Sequence, residues 1–520
     1  MNLMRAVATI GGWTMISRIL GFTRDMLIAN VVGAGMVADA FFIAFKFPNL
    51  FRRLFGEGAM NAAFVPLYAR KLEEDGQDAA RRFGSEVAAV LLTAMLFLTI
   101  LAFIFMPYVM SVVAPGFKDD PAKFLLTVSL AQITIPYLLF MTLCAQFSGM
   151  LNSVGRFAAA AAAPVLLNVV MIIVLVLVNN HILDAPGHAM AWGVAVAGLI
   201  QFLFLGVACH KAGILPSFTM PRLTPDVKRL LILMAPGVLG AGVVQINVMV
   251  GDILASFLPE GAVSLLYYAD RINQLPLGVI GVAVGVALLP LMTRQLRAGE
   301  EDAAMHSMNR ALEISLLLTI PAAVALAMIP WPIIAVLFER GAFSTEISYA
   351  TSRALQAFAI GLPAFVLIKA LSPGFFARED TKTPVKIAIF NVTLNIILAY
   401  ILMQYMSYVG IALATSITSW INVFALAIIL YRRGHLKLDR RLLQAGWKIV
   451  LSAVLMGTAL ILTFHQFSFT FLTSGFLTRF GILVGLITLG IVSYGLMIHF
   501  TGAAKISDVK AMLRRRKTET

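Results

Sequence analysis

The sequence predicts an all-α polytopic membrane protein with about fourteen transmembrane helices, and three observations predict it. Of 520 residues, 60% are hydrophobic and only 13% charged, with a mean hydropathy of +0.89. Soluble domains are roughly 45–50% apolar and about 25% charged, and a water-soluble globule of this composition would expose large apolar patches. The apolar residues come in unbroken runs of about 20, the length of one helical crossing, without the alternation of a transmembrane barrel. Finally, Lys and Arg concentrate in every second loop.

The expected spans follow in order. Met1–Arg5 is too short and too weakly basic for a cleavable signal, and the run after it carries Arg18 and Arg24 with no cleavage site. Residues 7–32 are therefore read as the first span. The second, 37–55, holds Asp39, Lys46 and Arg53 at seven-residue intervals, with Pro48 as a possible kink. Spans at 86–112, 126–150, 158–179 and 188–209 follow. A further six are expected at 229–258, 263–292, 311–337, 348–372, 384–405 and 408–431. The segment 263–292 is long, polar at its start and interrupted by proline. The last two spans lie at 447–466 and 477–500.

With the N-terminus placed in the cytoplasm, 28 Lys and Arg fall in inner loops and the tail, and only Lys118, Lys123, Arg340 and Arg479 fall outside. The even span count puts both termini inside. The net charge of +14 is then mostly topology, and no nucleic-acid partner is expected. The run Arg514–Lys517 reads as a solvated tail, or as a contact to anionic lipid headgroups.

Weak internal matches support a duplication. Ala38–Phe41 leading to Pro48 resembles Ala269–Arg271 leading to Pro276, at an offset of 231. Gln132–Pro136 resembles Phe358–Pro363, at an offset of 227, and Ala163–Val165 with Asn168 resembles Thr383–Val385 with Asn391, at an offset of 220. Two six-helix lobes in one orientation are the expected result, a parallel repeat common among transporters. The expected organisation is an N-terminal lobe over 1–220, a C-terminal lobe over 221–440, two additional helices over 441–502, and a basic tail over 503–520.

Charge inside a span is the sharpest functional signal, because a central Arg, Lys or Asp costs about 2.5–3.5 kcal/mol on insertion scales. Such groups face water or one another. The basic set is Arg18, Arg24, Lys46, Arg52, Arg53, Arg271, Arg353 and Lys369, and the acids are Asp25, Asp39, Glu57, Asp252 and Asp270. Arg18 and Asp25 are seven residues apart, as are Ser17 and Arg24, so each pair shares a helix face. The second and eighth spans are equivalent helices of the repeat. Facing each other, they would bring Arg18, Arg24, Arg52 and Arg271 to one cavity with surplus positive charge. Guanidinium holds phosphate and carboxylate bidentately and keeps its proton, so this cavity suits a polyanion. The competing reading makes Arg18–Asp25 or Arg24–Asp25 an assembly pair and lets Arg52 and Arg53 snorkel to the surface.

Catalytic signatures are missing: there is no GxxxxGK[ST] loop, HExxH or GxSxG, so no enzyme is expected. Cys144 and Cys209 sit in apolar runs and read as small buried hydrophobes. Asp119 and Asp120 read as a solvated loop pair. No cofactor is expected, and any transport would draw on the membrane potential or a monovalent cation.

At these residues the sequence resembles the MurJ (MviN) family. The resemblance rests on residues 17–25 (SRILGFTRD) and 38–53 (ADAFFIAFKFPNLFRR), on Gly58, Ala59 and Phe64–Pro66, and on Ala114–Phe117. Tyr267–Arg271, Lys369–Phe376 and Asp380–Lys386 complete it. It implies the fold of the multidrug/oligosaccharidyl-lipid/polysaccharide exporter superfamily, located in the bacterial inner membrane. It implies a flippase for lipid II, the undecaprenyl-diphosphate-linked disaccharide-pentapeptide precursor of peptidoglycan, with cell-wall assembly proteins as further partners.

The family's cavity arginines map to Arg18, Arg24, Arg52 and Arg271, with Asp39 as an associated acid and Ser17 beside them. Asp25, Arg53, Lys46 and Asp270 are secondary substrate-contacting candidates. Relatives often carry an acid near Gln274, where this chain has an amide. Some relatives bind sodium, for which Asp252, Asn391 and Asn395 are oxygen-bearing candidates; helix–helix hydrogen bonding is the competing role. The polyprenyl tail stays in lipid or in a groove at the two additional helices, near Phe464, Phe467, Phe469 and Phe471, which serve lobe packing in the other reading. The alternatives are a flippase for another polyprenyl-diphosphate-linked glycan and a cation-coupled drug antiporter of the same fold. A membrane enzyme would need paired carboxylates or a metal site, and a scaffold would not require buried arginines.

Overall fold

The computed structural model describes residues 3–53, 60 and 63–503. Glu57, Gly58, Ala59 and the expected basic tail beyond Ala503 lie outside the described residues. Among the described residues the chain is helical, with no strand. It divides into two compact units, one of Met1–Ser264 with Arg340–Phe343 and one of Leu265–Glu339 with Ser344–Thr520.

The first unit contains α1 (Leu3–Val32), α2 (Met36–Phe51), α3 (Val65–Glu74), α4 (Gly76–Ile104), α5 (Met106–Val113), α6 (Pro121–Thr134), α7 (Pro136–Ser153), α8 (Phe157–Asn179), α9 (Pro186–Lys211) and α10 (Pro225–Ser256). Helix α1 packs on α8, α8 on α9, α7 on α4 and α9, and α2 on α6. Proline opens α6, α7, α9 and α10, where its missing N–H costs nothing and its fixed φ suits the first turn. Pro136 for this reason divides the expected span 126–150 into α6 and α7. Asp120, expected in a solvated loop, caps α6 by accepting from the Ala122 and Lys123 amides. Cys144 and Cys209 are buried and free, in an apolar core with Phe64, Tyr68, Phe83 and Phe147.

The unit boundary falls inside α11 (Ala262–Pro276). A π-helical turn, Leu277–Gly281, follows, then α12 (Val282–Arg297), α13 (Glu301–Met328), α14 (Pro330–Phe338), α15 (Thr345–Leu371), α16 (Pro373–Phe376), α17 (Lys382–Arg432), α18 (Arg440–Thr473) and α19 (Phe476–Thr501). Helix α15 packs on α17 and α13, α13 on α18, and α18 on α19.

Both ends of α18 are tied to this unit. At its start Arg310 bonds Glu313 and Asp439, and Asp439 caps the helix through the Leu442 amide. Burial pushes the Asp439 carboxyl up, but the Leu442 N–H and Arg310 outweigh it and hold the group below its usual range. At the far end Arg479 donates to the Phe471, Leu472 and Ser474 carbonyls and to Glu339, satisfying acceptors that a helix terminus leaves open. The Phe-rich segment splits: Phe464 and Phe471 pack edge-on against Trp331, while Phe467 and Phe469 are exposed.

Among the described residues, nine helices are long and apolar enough to cross a membrane, so the chain is a polytopic membrane protein. One of the nine is α17, whose 51 residues would extend about 75 Å at 1.5 Å per residue, more than twice the hydrocarbon thickness. Ser407 interrupts it with φ 52° and ψ −138°, so the run is two helices joined by a sharp reversal, as the expected spans 384–405 and 408–431 require. Gly410 sits where the chain doubles back, and a Cβ there would overlap the Leu402 carbonyl. Gly410→Ala is expected to lower stability by about 1–3 kcal/mol through this overlap. Gly446→Ala, where nothing lies within 4 Å, should be neutral or slightly stabilising. Thermal unfolding in detergent compares the two, and equal melting temperatures would contradict the tight reversal.

Candidate functional site

The charges that the sequence places in spans fall mostly on α1, α2, α10 and α11, none of which is among the nine helices long and apolar enough to cross a membrane among the described residues, and the structure puts these charges in three different situations. The first is a neutralised pair. Arg24 is buried and donates from Nε and Nη2 to Asp25 Oδ1 at 3.1 and 2.8 Å. Its Nη1 reaches Asn168 Oδ1 on α8 at 3.1 Å. Asn168 in turn donates to the Ser17 carbonyl at 3.0 Å. Ser17 and Arg24, two turns apart on α1, therefore share the face that packs on α8, as their spacing predicts. Arg18 and Asp25 do not share an environment: Asp25 is fully buried, whereas Arg18 is exposed. Among the described residues Arg18 makes no ion pair or hydrogen bond. Asn168 enters the sequence reading only through the internal repeat and not as a partner of Arg24, although it is the one polar residue inside the apolar run 157–178 of α8.

The second situation is a saturated acid. Asp39, in the first turn of α2, is 1% exposed. Its carboxylate accepts from Lys123 Nζ at 2.7 Å, the Gly261 amide at 2.8 Å, the Ser264 amide at 2.9 Å and Ser264 Oγ at 2.6 Å. Lys123 is also buried and lies 4.1 Å from the centre of the Phe117 ring. Lys123, placed on the outer side by loop charge, lies in the first turn of α6 and is buried in protein. Helix α2 gains a second tie nearby, from the Met36 amide to Glu260 Oε1 at 2.5 Å. Four donors on one carboxylate hold the start of α2 against the α10–α11 turn.

The third situation is a set of charges at helix surfaces. Lys46 on α2 pairs with Asp252 on α10. Arg52, at the end of α2, is half-buried and donates from Nε to Asn49 Oδ1 at 2.7 Å, while Arg53 is exposed. In the second unit Gln274 donates to Asp270, one turn back on α11. The amide at position 274 thus serves Asp270. Arg271 is half-buried, 5.7 Å from the centre of the Tyr267 ring. Arg353 and Lys369 are exposed.

Of the cation-site candidates, Asp252 is committed to Lys46. Asn391 Oδ1 is buried without a hydrogen-bond partner among the described residues, and Asn395 accepts from Thr418 at 3.4 Å. Among the described residues no group of three or more His, Cys, Asp or Glu is placed to hold a metal.

This arrangement sorts the chemistry. The acids Asp25, Asp39, Asp252 and Asp270 each already accept from a donor in the protein. Outside the spans, Asp380 is held below the usual carboxylate range by Thr383, through its hydroxyl and amide, and by Arg433. Breaking a buried pair by removing one partner costs about 3–5 kcal/mol. Asp39→Asn and Lys123→Met are therefore each expected to destabilise by that amount. The double variant should lose less than the sum, read as a double-mutant cycle on thermal unfolding; strict additivity would show that the two groups do not interact.

Residues 28–481 match the family model described as lipid II flippase MurJ. A protein of Rhizobium meliloti (strain 1021) named probable lipid II flippase MurJ is 46% identical over 99% of this chain and 97% of its own length. The lipid II flippase MurJ of Burkholderia cenocepacia is 34% identical over 84% of this chain and 85% of its own. A solved lipid II flippase MurJ in an inward closed conformation superposes with a TM-score of 0.78 at 30% identity, over 94% of this chain and 97% of that one. An inward-facing multidrug resistance MATE family transporter of the MOP superfamily shares the fold, with a TM-score of 0.67 at 16% identity, over 82% of this chain and 98% of its own.

Proposed function

Because the chain belongs to the MurJ family of lipid II flippases, we propose that it carries lipid II from the cytoplasmic to the periplasmic leaflet for peptidoglycan synthesis. In this reading it works by alternating access of two six-helix lobes in a fourteen-helix inner-membrane protein with both termini cytoplasmic. Arg18, Arg24, Arg52 and Arg271 engage the diphosphate and headgroup, and the membrane potential or a monovalent cation supplies the energy.

One observation carries the site assignment. Arg18 lies on α1, exposed and without an ion pair among the described residues, while the carboxylate seven residues on is taken by Arg24. In this reading α1 spans the membrane, where an uncompensated guanidinium is costly. It is retained where an anion arrives to match it, and its planar fork fits a diphosphate. The competing drug-antiporter reading needs an acid ready for a cation, and the four in-span acids described above are each engaged by a protein donor. The polyprenyl chain is too apolar for such a site and stays in lipid.

Arg18→Ala, Arg24→Ala and Arg271→Ala, each at normal expression, are expected to cut lipid II translocation in cells by about tenfold or more, the loss of one charge-assisted contact. Full activity in all three would overturn the assignment. Arg271→Lys should not restore full function, because a point charge replaces a planar fork; wild-type rates there would show that net charge alone matters.

A further inference from the structure

The connection between α9 and α10 is an ordered strap. Residues 214–224 form no helix or strand, and Pro216 and Pro221 favour extended backbone before them. The strap runs along the start of α4 in a repeating register. Gln77 donates to the Gly213 carbonyl at 3.4 Å and Arg81 to the Leu215 carbonyl at 3.1 Å. Ser85 Oγ accepts from the Ser217 amide at 2.9 Å, and Thr219 Oγ1 donates to the Ser85 carbonyl at 3.3 Å. Four residues of helix advance about 6 Å and two of extended chain about 6.6 Å. Residues 77, 81 and 85 therefore meet 213, 215 and 217 in step. Thr224 closes the strap on Glu86 at 2.9 Å, and Asp226 pairs with Lys71 at 2.8 Å.

Alternation has a consequence for the other side. With Ser217 and Thr219 turned to α4, Phe218 and Met220 turn away. They are 96% and 76% exposed, and Leu223 is 70% exposed. Around them Arg222, Lys228 and Arg229 are exposed and make no ion pair among the described residues. The nearby acids, Glu86 and Asp226, are both engaged. The strap leaves α9, which is long and apolar enough to cross a membrane, and is pinned where the apolar run of α4, another such helix, begins, which puts it at the level of the membrane surface. Bulky apolar side chains beside uncompensated bases, at that level, are the makings of an interfacial anchor.

We propose that Phe218, Met220 and Leu223 insert into the headgroup–acyl boundary of the adjoining leaflet, and that Arg222, Lys228 and Arg229 select anionic phospholipid there. The polar residues of the strap fix it to α4, so the anchor ties α4 and the start of α10 to one lipid layer.

The full-length protein in nanodiscs tests this, in a Cys144→Ala, Cys209→Ala background carrying Phe218→Cys labelled with an environment-sensitive fluorophore. Met220→Cys provides a second reporting position should the first fold poorly, and exposed Asp78→Cys is the aqueous control. Emission at 218 or 220 should be blue-shifted relative to 78. Bromine-labelled phosphatidylglycerol should quench it about twofold more than bromine-labelled phosphatidylcholine at the same mole fraction. Adding Arg222→Gln, Lys228→Gln and Arg229→Gln should bring the two lipids to parity. Water-like emission at both positions would overturn the anchor and leave the apolar residues to a protein partner. Equal quenching by the two lipids in the parent would overturn the anionic preference. No transport is measured, so the result stands apart from the flippase reading.

Discussion

A charge placed in a hydrocarbon layer has to be matched, by protein, by water or by cargo. That constraint organises this molecule. Asp25 is matched by Arg24, Asp39 by Lys123 and three further donors, and Asp252 by Lys46. Each match also joins elements that a purely apolar interface would leave free to slide. The Arg24 cluster fixes α1 on α8 through Asn168, and the Asp39 cluster fixes α2 on α6 and on the turn before Ser264. A charge left over in such a framework, Arg18 above all, is conspicuous because every acid near it in sequence is spoken for.

The two clusters differ in what they do. Among the described residues Arg24 bonds Asp25 Oδ1 and Asn168 Oδ1, so its charge is matched within the protein and its contribution in this conformation is to fix α1 on α8. Asp39 is saturated by four donors and has no capacity left for a substrate group in this conformation. Its contribution here is to hold helix ends together. The same residue would become available only if Lys123 and the Gly261–Ser264 amides withdrew.

Much of this was legible in the sequence, and the failures have physical causes. Long apolar runs are a local property, so the nine helices long and apolar enough to cross a membrane among the described residues coincide with expected spans, Pro136 dividing one of them, whereas α1, α2, α10, α11 and α12 are not among those nine. The heptad spacing of Ser17 and Arg24 correctly predicted a shared face. Loop charge assigns Lys123 a side of the membrane but not a partner, and nothing local reveals that Asp39, 84 residues away, pairs with it. Asn168 carried a signal, a lone amide in an apolar helix, but its partner had to be found in space. The strap was invisible for the same reason. Its alternation of Ser217 and Thr219 with Phe218 and Met220 acquires meaning only when α4 supplies the other edge.

The account turns on whether the uncommitted guanidinium of α1 meets the anionic head of the lipid substrate. Binding of lipid II to the purified protein in nanodiscs, followed over a range of ionic strength, asks this directly. The wild type should lose affinity as salt rises, and Arg18→Gln should bind about tenfold more weakly with a shallower salt dependence. Identical affinity and identical salt dependence in the two proteins would contradict it.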